Sequence, residues 1–166
     1  MRAGDGDTTR YSMLFTGLKK SDGVGFINRL VERLANEMVF AAADVGMATD
    51  VDIMVANFAA RREGFRFFLR TDRSTQSHLN DVVWQLKMEA DEAGCPPEGH
   101  EECVMFDEYA NEILRMTKVR KDNFVPAEEM LCDWLGSYDG LTPAGVARVR
   151  AQLREQKRRF AQDRMA

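Results

Sequence analysis

The spacing of apolar residues between positions 22 and 45 constrains the fold of this chain most strongly. The apolar residues recur at steps of three and four: Val24, Ile27, Val31, Leu34, Met38, Ala42 and Val45. The charged and amide residues of the same stretch fall mostly on the opposite face. This period is typical of an amphipathic helix, and it predicts a helix over residues 22–45 with Gly46 as its C-terminal cap.

Five further segments carry helical signals, and none shows the alternation of a strand. The predicted starts are, in chain order, Thr49 or Asp50, Ser74 or Thr75, the residues after Gly99, Pro126, and Thr142 as N-cap with Pro143 at the first helical position. The second of these helices is expected to extend past Gly64 to Leu69, with a kink or an extended stretch near its end. The sequence therefore predicts an all-α fold, a compact bundle of about six helices with a long basic C-terminal helix.

A chain of 166 residues with 45% hydrophobic residues can bury a core without disulfides or metals. The sequence divides into an N-terminal arm with an apolar patch over residues 1–20 and a helical domain over residues 21–140. The Pro- and Gly-rich stretch 94–99 is a sub-boundary within that domain. Residues 141–166 form a basic amphipathic docking helix.

Charge is distributed unevenly along the chain, whose net formal charge is −4. Residues 80–115 contain ten acids and two bases, which gives −8, whereas residues 142–166 contain seven bases and two acids, which gives +5. The overall acidity disfavours a generic nucleic-acid binder. Two opposite poles indicate either a self-complementary contact or two different partners.

The C-terminal helix has a narrow apolar stripe, typical of a helix that docks along one groove or coils with one partner. Basic residues flank the stripe and supply electrostatic contacts. The predicted partner-binding residues are Val146, Val149, Leu153 and Phe160 in the stripe, with Arg150, Arg154, Lys157 and Arg158 beside it.

Three cysteines raise the question of a metal or a disulfide. Cys95, His100, Cys103 and Cys132 have the donor chemistry of a Cys3His zinc site, but their spacing matches no standard finger. A Cys95–Cys103 bridge is a second alternative. Free thiols are favoured, because an odd cysteine count is typical of reducing, intracellular compartments. We therefore expect neither a metal nor another cofactor.

No catalytic motif stands out. Ser77, His78 and Asp81 lie too close together on one helix for triad geometry, and no Gly-x-Ser-x-Gly elbow is present. We expect His78 to take a surface or capping role, and we expect the protein not to be an enzyme.

The sequence is thus interpreted as a soluble, non-catalytic structural or adaptor subunit of a larger protein assembly, without a membrane span. It docks through its N-terminal arm and its C-terminal helix onto other protein subunits. Two alternatives remain open. One is a nucleic-acid-associated accessory protein that uses the basic helix. The other is a small metal- or thiol-dependent enzyme around Cys95, His100 and Cys103.

Overall fold

The computed structural model of the chain describes residues 9–19, 21–47, 50–60, 72–117 and 122–163. In these residues the fold is all-α, as predicted, and it contains six helices. They are α1 (Gly23–Asp44), α2 (Val51–Ala60), α3 (Arg73–Ala93), α4 (His100–Glu112), α5 (Pro126–Tyr138) and α6 (Pro143–Asp163). Apart from these, one isolated antiparallel bridge joins Arg115 and Phe124 within the described ranges.

Two compact units make up the chain. The first takes its described residues from Met1–Gly23 and Phe67–Glu129, and the second from Val24–Arg66 and Met130–Ala166. Each unit is therefore discontinuous in sequence, and the predicted sub-boundary at 94–99 lies inside the first. The division into 1–20, 21–140 and 141–166 stays a prediction.

Local hydrogen bonds explain where α1 ends and where α6 begins. Both positions confirm the sequence prediction. Gly46 has φ of 69°, its amide donates to Ala43 O, and the Met47 amide donates to Ala42 O. These two bonds form a Schellman motif, which needs a left-handed residue at this position. At the start of α6, Thr142 Oγ1 accepts a hydrogen bond from the Gly145 amide at 3.2 Å.

Helix α3 begins slightly earlier than predicted. Its N-cap is Asp72, whose carboxylate accepts hydrogen bonds from the amides of Ser74 and Thr75. The hydrogen bond from the Thr75 hydroxyl, together with those from the two amides, holds the pKa of Asp72 below its usual value. The sequence prediction had the helix open at Ser74 or Thr75. It opens at Arg73 because Asp72 satisfies two amides of the first turn at once.

Some predictions lie outside the described residues. They are the continuation of the second helix beyond Ala60, with Gly64 and Leu69, the arm residues 1–8, and the side chain of Phe160.

The core of the second unit is built around Trp134, which is 1% exposed. Its indole Nε1 donates to Met54 Sδ at 2.8 Å, and its ring packs against Phe58 and Tyr138 with centroid distances of 4.6 Å each. Helices α2 and α5 are thereby joined by aromatic packing and one polar contact, as expected for a buried indole whose N–H needs a partner.

The core of the first unit centres on α4. Cys103, Phe106 and Ala110 of that helix are buried, as are Phe124 and Val125 just before α5. The spacing of three and four residues places the α4 side chains on one face. Asp107 and Asn111 share this buried face, and these two polar residues lead to the candidate site.

Candidate functional site

The described N-terminal segment is fastened to α4 by two buried polar side chains. The Asn111 side chain accepts a hydrogen bond from the Ser12 amide at 2.8 Å and donates one to the Ser12 carbonyl at 2.7 Å. One turn earlier, Asp107 Oδ1 accepts from the Leu14 amide at 2.8 Å. An extended segment without a strand partner has unpaired amides and carbonyls, and these side chains satisfy them.

The same segment is also held by the first turns of α3. The Arg10 guanidinium donates to Thr75 Oγ1 and to Ser74 Oγ, each at 2.8 Å. Ser12 Oγ lies 2.9 Å from His78 Nε2. Arg10 and His78 are both buried, at 8% and 9% exposure. The predicted arm is thus bound by its own unit over these residues.

The buried position of His78 contradicts the surface role expected from the sequence. Burial lowers the pKa of this histidine, and the positive charges of Arg115 and Arg10 lower it further. The neutral imidazole is therefore the favoured form. One signal was missed: His78 lies one helical turn before Val82, on the side that α3 turns inward.

A polar cleft of about 420 Å³ opens beside this network in the first unit. Ten residues line it: Arg10, Asp72, Arg73, Ser74, Ser77, His78, Asp81, Arg115, Met116 and Thr117. Three arginines thus share one cleft with two aspartates and several hydroxyl groups. Ser77, His78 and Asp81 do come together here, yet the residue that touches the His78 ring is Ser12.

Arg115 is the most unusual member of the cleft. Its Nη2 donates to Gln85 Oε1 at 3.1 Å, while its buried Nε has no hydrogen-bond partner among the residues that the structure describes. Burial lowers the pKa of Arg115 and the charge of Asp81 opposes this shift, so the guanidinium stays charged at neutral pH. A buried N–H donor of a charged group gains free energy when an acceptor reaches it.

An apolar groove of about 380 Å³ lies elsewhere in the first unit, between the end of α3, residues 95–97 and α4. Its apolar lining includes Pro96, Pro97 and Phe106, and Glu89 and Glu102 add carboxylates. The groove also contains Met105 and Tyr109 of α4, which are 68% and 49% exposed. This surface, which we call the acidic groove, combines apolar contact area with negative charge.

Helix α3 exposes further large apolar side chains. Leu79 and Val83 are 51% and 48% exposed, and Trp84 and Met88 are 62% and 50% exposed. Each pair is spaced by four residues and so lies on one face. Exposed apolar surface of this extent is typical of an interaction site.

The predicted docking residues of α6 differ in their exposure. Val149 is buried at 3%, and Val146, Arg150 and Leu153 are half-buried. The neighbouring Gln152 donates its Nε2 to the Val45 carbonyl at 2.7 Å, so this part of α6 packs within its own unit. Arg154, Lys157 and Arg158 are exposed. These eight assignments stay a prediction, and the exposed bases are the members accessible to a partner.

The metal and thiol candidates are dispersed. Cys95 is exposed, whereas Cys103 and Cys132 are buried, and all three thiols are free of disulfides. Cys103 and Cys132 belong to different units, and Thr16 Oγ1 lies 3.8 Å from Cys103 Sγ. Across the part of the chain that the structure describes, no cluster of three His, Cys, Asp or Glu side chains could hold a metal ion.

None of the helices in the described ranges combines the length and the apolar character that a bilayer-spanning segment requires.

Comparison with known proteins identifies a family but no activity. Residues 6–129 match a domain of unknown function, DUF6933, and the chain belongs to this family. The match contains the clamped N-terminal segment, the polar cleft and the acidic groove, and it ends before most of α5 and all of α6. No curated protein and no solved structure gave a match.

Proposed function

We propose that this protein is a non-catalytic helical subunit that binds other protein chains within a larger assembly. The observation that carries the proposal is the acidic groove, in which Met105 and Tyr109 expose apolar surface beside Glu89 and Glu102. Large exposed apolar side chains are costly in water and gain free energy when a partner covers them.

Charge indicates the chemistry of the partner. The groove lies in the segment of residues 80–115, which has a net formal charge of −8. A partner helix with apolar anchor residues and basic flanks complements both the apolar surface and the negative charge of the groove. Acidic side chains then steer the encounter, and the exposed side chains of Met105 and Tyr109 supply the contact area.

The basic end of the chain supports a second contact. Arg154, Lys157 and Arg158 are exposed on α6, next to the half-buried Leu153. They suit an acidic surface on another subunit, while Val149 anchors the helix to its own unit. A subunit with one acidic and one basic docking surface can bridge two neighbours.

Co-purification of partner chains with variants of the groove tests this proposal. Met105→Glu places a charge in the apolar groove, and we expect it to remove the bound partner while the circular dichroism spectrum is unchanged. Val24→Glu is the matched control, because Val24 is 75% exposed and lies outside the groove. Retention of the same partners by Met105→Glu, or loss of them with Val24→Glu, would contradict a role for this surface.

A nucleic-acid-associated accessory role is the second candidate. It is favoured by the exposed Arg154, Lys157 and Arg158, which can contact phosphates. Binding through phosphates weakens steeply with salt, so a titration of affinity against salt distinguishes the two roles. A steep slope that is insensitive to Met105→Glu would favour nucleic acid.

A further inference from the structure

We infer that the polar cleft of the first unit is a binding site for a small phosphate-bearing ligand, either free phosphate or a phosphomonoester. The inference is independent of the protein-binding role proposed above, because the polar cleft and the acidic groove share no lining residue. It rests on the juxtaposition of Arg10, Arg73 and Arg115 around one cavity.

The volume of the cleft fits a ligand larger than a water molecule. About 420 Å³ lies within the range of small-molecule sites in proteins. Hydroxyl groups of Ser74, Ser77 and Thr117 contribute to the lining and can donate hydrogen bonds to phosphate oxygens.

The two aspartates offset only part of the positive charge of the three arginines. Asp72 accepts hydrogen bonds from the Ser74 amide, the Thr75 amide and the Thr75 hydroxyl, so it is committed to the cap of α3. Asp81 interacts electrostatically with Arg115. With three arginines, two aspartates and a neutral His78, the described lining residues carry a formal charge of +1, which favours an anion.

The hydrogen bonds that fix the arginine side chains, and the N–H groups that they leave available, favour an oxyanion as the ligand. Arg10 is held in place by Ser74 and Thr75, and Arg115 by Gln85, so neither guanidinium pays the full cost of ordering on binding. The buried Nε of Arg115 has no acceptor among the described residues and can donate to a ligand. Planar guanidinium groups donate paired N–H bonds that match phosphate oxygens, which makes arginine suited to this ligand.

Titration of the full chain with inorganic phosphate, and separately with phenyl phosphate, tests the inference. The readout is the set of backbone amide chemical shifts, recorded at constant ionic strength. We expect saturable shifts at residues 73–78 and 115–117 with at least one of the two probes. Tighter binding of phenyl phosphate assigns the site to phosphomonoesters, and equal or tighter binding of inorganic phosphate assigns it to the free ion.

Three variants make the outcome decisive. Arg73→Gln, at an exposed position, and Arg115→Gln should each weaken binding about tenfold or more, the usual effect of losing a hydrogen bond to a charged group. Lys87→Gln removes the same charge from an exposed position of α3 outside the cleft and should leave the affinity unchanged. The absence of saturable shifts with both probes, unaltered affinity in both arginine variants, or an equal loss in Lys87→Gln would overturn the inference.

Discussion

Asn111 and Ser12 exchange two hydrogen bonds, of 2.8 and 2.7 Å, although ninety-nine residues of chain separate them. The amide side chain of Asn111 thus takes the place that a neighbouring strand would occupy for the Ser12 backbone. Since Asn111 is 1% exposed, water has little access to replace it. This contact, the one to Asp107 one turn earlier and the hydrogen bonds of Arg10 to α3 together position the described part of the N-terminal segment.

Replacing Asn111 should therefore cost stability. In Asn111→Leu the Ser12 amide and carbonyl lose their partners, and the free energy of unfolding should fall by about 2–4 kcal/mol. Chemical denaturation measures this change in the free energy of unfolding. Asn80→Leu, at an exposed position of α3, is the control and should change it by less than about 0.5 kcal/mol. Equal effects of the two variants would contradict the role of the contact.

Acidification should destabilise the fold through His78. Its pKa in the folded state is lowered by burial and by Arg115 and Arg10, so the unfolded chain binds the proton more tightly. The contribution of His78 to stability is full above its unfolded pKa of about 6.5, and it is lost as the pH falls through the folded pKa.

Denaturation curves recorded between about pH 7.5 and about pH 5.5 measure how the free energy of unfolding changes with pH, which is the slope expected from His78. His78→Gln should flatten it, whereas His100→Gln, which changes an exposed histidine, should retain it. A wild-type chain that becomes more stable on acidification over this range would contradict the assignment.

A charge introduced at Val149 and one introduced at Leu153, one turn later on α6, should affect the stability of the fold differently. Val149 is 3% exposed, so Val149→Asp buries an unpaired carboxylate and should destabilise the fold by about 3–5 kcal/mol. Leu153→Asp changes a half-buried position and should leave the chain largely folded while it weakens binding of a partner to α6.

Thermal denaturation and co-purification of the two α6 variants separate these effects. If Leu153→Asp unfolds the chain as Val149→Asp does, α6 is a core helix at both positions, and docking through Leu153 is excluded.

A side chain at Gly46, at the C-terminal end of α1, should lower the stability of the fold. Gly46→Ala forces a Cβ into the left-handed region at φ of 69° and should cost about 1 kcal/mol. Gly23→Ala, in the first turn of α1 with open space around it, should be neutral or slightly stabilising. Equal thermal midpoints for Gly46→Ala and the wild-type chain would be inconsistent with this cap.

Sequence patterns predicted local structure better than long-range contacts. Gly46 and Thr142 marked helix ends because caps depend on a few adjacent residues. The pairing of Asn111 with Ser12 has no such local signature, since it arises only when two distant segments meet. Likewise, the stripe on α6 did not distinguish the buried Val149 from the half-buried Leu153, because periodicity gives the face of a helix and not what covers it.

The candidate sites were harder to predict for the same reason. Arg10, Arg73 and Arg115 come from three separate parts of the chain, and no motif connects them. The acidic character of residues 80–115 was visible in the sequence, but the groove depends on how the end of α3 meets α4.

Native mass spectrometry of the endogenous protein, purified at moderate salt with and without nuclease treatment, tests the proposed subunit role most directly. We expect a complex of defined mass above 18.9 kDa that contains other protein chains and survives nuclease. A complex that is lost on nuclease treatment, or a bare chain of 18.9 kDa under both conditions, would contradict it.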